Sequence, residues 1–217
     1  MPIAERLQVI DLGLREYGEA LELQENLVRA KCQGEGTDYL LFVEHLPVYT
    51  LGRGGNEKHL LERALDSSSP WPSPLYRVSR GGDATFHGPG QLVGYPILDL
   101  NRHGQDVHLY LRRLEAILID ALADFGLRAE RLHGLTGVWV EGKKIASIGV
   151  GVRRWISFHG FALNVNTDLT FFDRIIPCGL SNVRMTSMAE LLGKEISLNQ
   201  VKGVVRQRFI GQFHYTV

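Results

Sequence analysis

The chain has 217 residues, 44% of them hydrophobic, and its 24 basic and 24 acidic residues cancel to a formal charge of zero. That length supports one well-buried core and is short for two, so a single domain over 1–217 is expected. No basic stripe extends beyond pairs such as Arg112 with Arg113 and Arg153 with Arg154, which argues against nucleic acid as a partner and favours another protein.

Charged residues Glu5, Arg6, Asp11, Arg15 and Glu16 interrupt the start of the chain, so neither an export signal nor a membrane span is expected and a cytoplasmic setting follows. Next, Leu14, Tyr17, Leu21 and Val28 recur at helical spacing with Glu16, Glu19, Glu22 and Glu25 elsewhere, which predicts an amphipathic helix over 13–30. Strands are predicted at 39–43 and 48–51 around a turn at 44–47, and again at 75–78. The run SSSPWPSP at 67–74 reads as a surface loop or lid. Asp106 can cap a helix in which Val107, Tyr110, Leu114, Ile117, Ala121 and Leu122 form the apolar stripe and Gly126 is the stop.

Residues 138–140 and 144–152 flank Glu141 and Gly142 as a hairpin, and 156–165 adds a further strand. Ser187 and Glu190 have capping-box spacing for a short helix through Leu192, and 201–209 is amphipathic enough for a terminal helix. Strands and helices mix without strict βαβ alternation. That pattern favours an α+β fold with a mostly antiparallel or mixed sheet and flanking helices.

The stretch RGGDATFHGPGQ at 80–91 alternates glycines with polar side chains in a way that no packed core requires. Gly81, Gly82, Gly88 and Gly90 let a ligand lie against bare main chain, while Arg80, Thr85, His87 and Gln91 can supply polar contacts. The plain alternative is a surface hairpin with generous turns. Two unusual segments downstream weigh against it: GKKIASIGVG at 142–151, and FHGFALNVN at 158–166 followed by PCG at 177–179.

Cys32 and Cys178 lie far apart, so each thiol is read separately rather than as half of a disulfide. Cys32, near the end of the first helix, is read as structural. Cys178 sits between Pro177 and Gly179, a setting able to present a thiol in a cleft, although a free cysteine is more often a small buried hydrophobe. An ordinary thiol is only about a few per cent thiolate at neutral pH, so a nucleophilic cysteine needs a cation or base close by. Lys144 is the candidate, and its neighbour Lys143 reads as an ordinary surface lysine. His87 and His159, each followed by glycine, either support the sulfur and the carbonyl or are satisfied structural histidines. No pair of residues has metal-binding spacing, so no metal site is expected.

In order and rough spacing, residues 80–91 followed by Tyr95 and Pro96, KIASIG at 144–149, HGFALN at 159–164 and PCG at 177–179 resemble the bacterial and organellar octanoyltransferases. These are the lipoyl(octanoyl) transferases of the lipoate-protein ligase B family, and the resemblance runs from the first helix to Thr186, Ser187 and Met188. It implies the catalytic-domain fold shared with biotin and lipoate protein ligases. It also implies transfer of an octanoyl group from octanoyl-acyl carrier protein to one lysine of a lipoyl domain, as found in 2-oxoacid dehydrogenase complexes and the glycine cleavage H protein. Neither ATP nor metal is implied.

The same resemblance pairs Lys144 with Cys178 and routes the acyl group through a thioester on that cysteine. It places the acyl group against Arg80, Gly81, Gly82, Asp83, Ala84, Thr85, Phe86 and His87, against Ser147, Ile148 and Gly149, and against Gly160, Phe161 and Ala162. His159 and Gly179 are supporting candidates, and the N–H groups of Gly149, Gly160 and Gly179 are candidate donors to an oxyanion. Rival readings are an ATP-dependent lipoate or biotin protein ligase, a cysteine enzyme moving acyl groups between lipoyl proteins, and a catalytically silent acyl- or lipoyl-domain-binding protein.

Overall fold

Strands buried on both faces form the centre of the fold in the computed structural model, which describes residues 7–60, 74–176 and 183–216. In chain order the elements are β1 (Leu7–Arg15), α1 (Tyr17–Cys32), β2 (Asp38–His45), β3 (Val48–Leu51), β4 (Leu75–Arg77), β5 (Ala84–His87) and β6 (Gln91–Ile97). There follow α2 (Val107–Ala123), β7 (Val138–Val140), β8 (Lys143–Arg153), β9 (Ile156–Asn164), α3 (Met188–Leu192) and α4 (Leu198–Phe213). A six-stranded sheet has the order β1-β2-β6-β9-β8-β7, and a three-stranded sheet the order β4-β3-β5. Pairing is parallel at β1–β2 and β3–β4 and antiparallel elsewhere, so the sheets are mixed as expected.

Two cores sandwich the large sheet. On one face Leu114, Ile117 and Leu118 of α2 and Val201, Val205 and Phe209 of α4 pack on Leu40, Leu92 and Leu163. On the other, Ala20 and Val28 of α1 pack on Leu41, Val43, Val93 and Ala162. The small sheet has its own core around Tyr49, Phe86 and Phe172. Asp106 caps α2 as expected, its side chain accepting the N–H groups of His108 and Leu109. Ser187 accepts the Glu190 N–H and so caps α3.

The start of the chain departs from the sequence expectation. Instead of one helix from residue 13, β1 continues to Arg15 and α1 begins at Tyr17. Gly13, at φ 64°, sits in a register shift between Asp11 and Leu14, and pairing with β2 wins over helical periodicity. Leu14, read as part of the helix's apolar face, is 53% exposed. The turn at 44–47 closes no hairpin, because it carries the chain from the large sheet in β2 to the small one in β3. Of the expected lid at 67–74, residues 67–73 lie outside the described residues.

Asp38, at the start of β2, joins distant segments. Its carboxylate lies 2.7 Å from Lys31 Nζ and 3.5 Å from His103 Nε2, accepts the Tyr215 hydroxyl at 2.7 Å, and accepts the Asp99 N–H at 3.0 Å. At the other end of the same strand, His45 contacts Tyr17, His87 and Tyr95.

Candidate active site

The glycine-rich segment is organised by the side chain at its head. Arg80 is buried and turns back on its own loop, donating to Thr50 O at 2.9 Å, Thr50 Oγ1 at 2.8 Å, Asp83 O at 2.8 Å and Gly81 O at 3.0 Å. The Gly81 N–H donates to Val150 O at 2.8 Å and so docks the loop on β8. The approach at Gly149 admits no side chain: a Cβ there would lie 2.8 Å from Gly81 O and 3.1 Å from Arg80 Cδ. Asp83 braces the loop from the far side, its carboxylate 2.5 Å from His59 Nδ1 and accepting the Ala84 N–H at 2.6 Å.

Beneath this loop is a cavity of about 470 Å³, counted to its mouth. Arg80, Gly82, Asp83, Ala84, Thr85 and His87 line it from the loop and β5. Ser147, Ile148 and Gly149 line it from β8, and His159, Gly160, Phe161 and Ala162 from β9. The fold thus brings together three segments that are far apart in sequence. Gly81 and Phe86 do not line this cavity. Phe86 points into the small-sheet core, stacked on Phe171 with ring centroids 4.4 Å apart, because strand alternation puts it opposite Thr85 and His87.

Three lining residues escaped the sequence reading of the acyl site: Tyr17 from the first turn of α1, and Val93 and Tyr95 from β6. With them comes a cluster of imidazoles. His45 Nδ1 lies 3.2 Å from Arg15 O, which can only accept, so Nδ1 donates and Nε2 accepts the Tyr95 hydroxyl at 2.8 Å. Burial depresses His45 to a pKa of about 4. His87 stacks on Tyr17 and pairs through Nδ1 with Gln91 Oε1 at 2.8 Å, while Gln91 Nε2 donates to Asn164 Oδ1 at 2.9 Å. Burial, then the neighbouring His45, holds His87 well below the ordinary imidazole value.

His159 is buried with φ 55°, and neither ring nitrogen has a hydrogen-bond partner among the described residues. Burial, with the charges of Arg80 and Arg53, pushes it down to about 3. All three imidazoles are therefore neutral near pH 7, and none is a standing cation for a thiolate.

Lys144 is buried too, and it opens on a second cavity of about 740 Å³, counted out to its open mouth. It sits opposite Trp139 in the β7–β8 pair, with Nζ 5.4 Å from the Trp139 ring centroid. Its N–H donates to Arg184 O at 2.8 Å and its carbonyl accepts the Thr186 N–H at 3.0 Å, which straps the segment before α3 to β8. Lys143, by contrast, pairs with Glu190 at 2.9 Å on the surface. Gly137, at φ 133°, lies against the Lys144 stem, where a Cβ would come within 2.6 Å of Cε.

Cys178 and Gly179 lie outside the described residues. Cys32 is a half-buried free thiol whose Sγ is 3.9 Å from Arg153 O, at the end of α1. Among the described residues, no group of three or more His, Cys, Asp or Glu is placed to hold a metal ion, and no helix is long and apolar enough to cross a membrane.

Residues 16–210 match the Lipoyl protein ligase A/B catalytic domain. An octanoyltransferase of Geotalea uraniireducens is 49% identical over 205 residues, covering 94% of this chain and 92% of the relative. One from Synechococcus elongatus is 48% identical, covering 93% and 86%. Among solved structures, lipoate-protein ligase A bound with ATP superposes with a TM-score of 0.79 at 19% identity, covering 98% of this chain and 87% of that one. The biotin protein ligase of Aquifex aeolicus in complex with biotin and ATP gives 0.57 at 16% identity, covering 96% and 70%.

Proposed function

The chain belongs to the octanoyltransferases of the lipoyl protein ligase A/B catalytic-domain family, and from that premise we propose that Cys178 and Lys144 carry its acyl transfer in two steps. The observation that carries the reading is the convergence of the 80–87, 147–149 and 160–162 segments on one cavity, with Lys144 opening on the cavity beside it. The Cys178 thiolate attacks the thioester carbonyl of octanoyl-acyl carrier protein; the carrier's sulfur leaves as thiolate and takes the Lys144 proton, so an octanoyl-cysteine and a neutral Lys144 remain. The octanoyl chain lies in the first cavity against Ile148, Phe161 and Ala162.

In the second step the amine of one lipoyl-domain lysine attacks that thioester and forms an amide. The lysine has an ordinary pKa of about 10.4, so a base must take its proton. Lys144 fills both needs: as an ammonium it favours the thiolate, and as a neutral amine it accepts the proton while sulfur leaves. Backbone N–H groups of Gly149, Gly160 and Gly179 are the candidate oxyanion donors. The acceptors are lipoyl domains of 2-oxoacid dehydrogenase complexes and the glycine cleavage H protein, in the cytoplasm. No ATP enters, because the thioester already carries an activated acyl group and amide formation from it is downhill.

Incubation with octanoyl-acyl carrier protein without ATP, followed by intact-mass measurement, tests this. An octanoyl adduct is expected that Cys178→Ser abolishes and an apo lipoyl domain discharges. Transfer that appears only with ATP and free octanoate would instead support a ligase.

A further inference from the structure

Once an octanoyl group is attached, its chain occupies the first cavity, and the accepting amine must reach the carbonyl from another side. The two cavities share Gly82, Ile148 and Gly149 as walls, so these residues form the partition between them. Lys144 lines the second cavity and not the first. A nucleophile must come within about 3–3.5 Å of the carbonyl it attacks, and within hydrogen-bond reach of the group that takes its proton. The second cavity puts an approaching amine beside Lys144 and next to the acyl chamber.

The chemistry of its walls fits a lysine side chain. Leu111, Leu135, Ile148 and Val150 offer an apolar run for the methylene stem, and among the described residues no acidic side chain lines the cavity to hold an ammonium. Desolvation against these side chains, together with the Lys144 amine, favours the neutral form of an entering amine, which is the form that attacks.

We propose that the second cavity is the binding channel of the acceptor lysine, a reading that rests on the octanoyl transfer described above. In this channel the acceptor nitrogen bonds to the thioester carbon and the carbon–sulfur bond breaks. Sulfur leaves with the electron pair as thiolate, and the amine's proton passes to Lys144. The products are the amide and a restored thiolate–ammonium pair.

Leu111→Trp, on α2, and Thr136→Trp, at the exposed rim, each narrow the channel without touching the acyl cavity. The octanoyl form of each variant is isolated, and its discharge by an apo lipoyl domain or by hydroxylamine is followed by intact mass. In at least one folded variant, discharge by the lipoyl domain should slow about tenfold or more while discharge by hydroxylamine changes less than about threefold, because a small nucleophile passes where a lysine stem does not. Equal slowing with both nucleophiles, or an unchanged lipoyl-domain rate in both variants, overturns the proposal. Failure of the unaltered enzyme to form any octanoyl adduct overturns the transfer reading itself, and the channel with it.

Discussion

Glu115 on α2 holds the Gly137 backbone in place: its fully buried carboxylate accepts the Gly137 N–H at 3.2 Å while Arg112 and Arg131 donate to it at 2.7 and 2.9 Å. Gly137 in turn lies against the Lys144 stem, so a carboxylate remote from the chemistry positions the lysine. Glu115→Gln keeps the volume and loses the charge-assisted bonds. It should lower kcat roughly ten- to a hundredfold with little change in KM for the acyl donor, the pattern of a misplaced catalytic group. Steady-state kinetics on the folded variant check this; an unchanged kcat would detach Gly137 from the placement of Lys144.

Lys144→Met retains the apolar stem and removes the charge and the proposed base. Both acyl-enzyme formation and transfer to the lipoyl domain should fall by roughly a hundredfold or more. Lys143→Met and Cys32→Ser should leave both steps intact, since Lys143 pairs with Glu190 at the surface and Cys32 lies at the end of α1. Single-turnover measurements of each half-reaction separate these outcomes.

Gly149→Ala places a methyl 2.8 Å from Gly81 O, against backbone that is itself bonded to Val150. The loop must shift, at a cost of about 1–3 kcal/mol in stability, with slower acyl loading because the partition between the cavities moves. Urea unfolding together with the rate of adduct formation measures both effects.

Stability should decline in acid well before carboxylates protonate. His45 takes its proton at about 4 in the folded protein against an unfolded value near 6.5, and His159 at about 3. Above pH 6.5 both states carry neutral imidazole and the contribution is complete. Below it the unfolded chain binds protons that the folded one refuses, and stability falls by about 3 kcal/mol for His45 alone by pH 4. Asp38 acts lower. Burial alone would raise it, but hydrogen bonds from His103 and Lys31, the Lys31 charge and the Tyr215 hydroxyl hold it down to about 2, so its share is lost only below about pH 4. Urea midpoints between pH 7.5 and 4.5 should drop for the native protein and drop less for His45→Gln; equal slopes would contradict the assignment to His45.

Local chemistry explains which elements the sequence discloses. Asp106 with its apolar stripe specified α2, and Glu141 and Gly142, at φ 50° and 74°, have the paired positive angles that a two-residue hairpin requires. The first strand was hidden because β1 gains its place from pairing with β2, a contact that no window of sequence contains. The segments that line the first cavity were largely legible through their glycines, whereas Tyr17 and Tyr95 reach it from α1 and β6 and are brought together only by the sheet order. Phe86 was open to better reading, since period-two alternation separates it from Thr85 and His87.

The strand β2 carries a clasp at one end and, at the other, a histidine bonded to a residue that lines the first cavity. Asp38 gathers α1, the segment after β6 and the segment after α4, while His45, seven residues along, meets Tyr95 beside the cavity. At about 3.3 Å per residue the two lie on the order of 20 Å apart, a separation at which substitutions act independently. Redesign can therefore be divided between the two ends: changes around Asp38 act on the clasp between distant segments, and changes around His45 act on its contact with Tyr95 and on stability in acid.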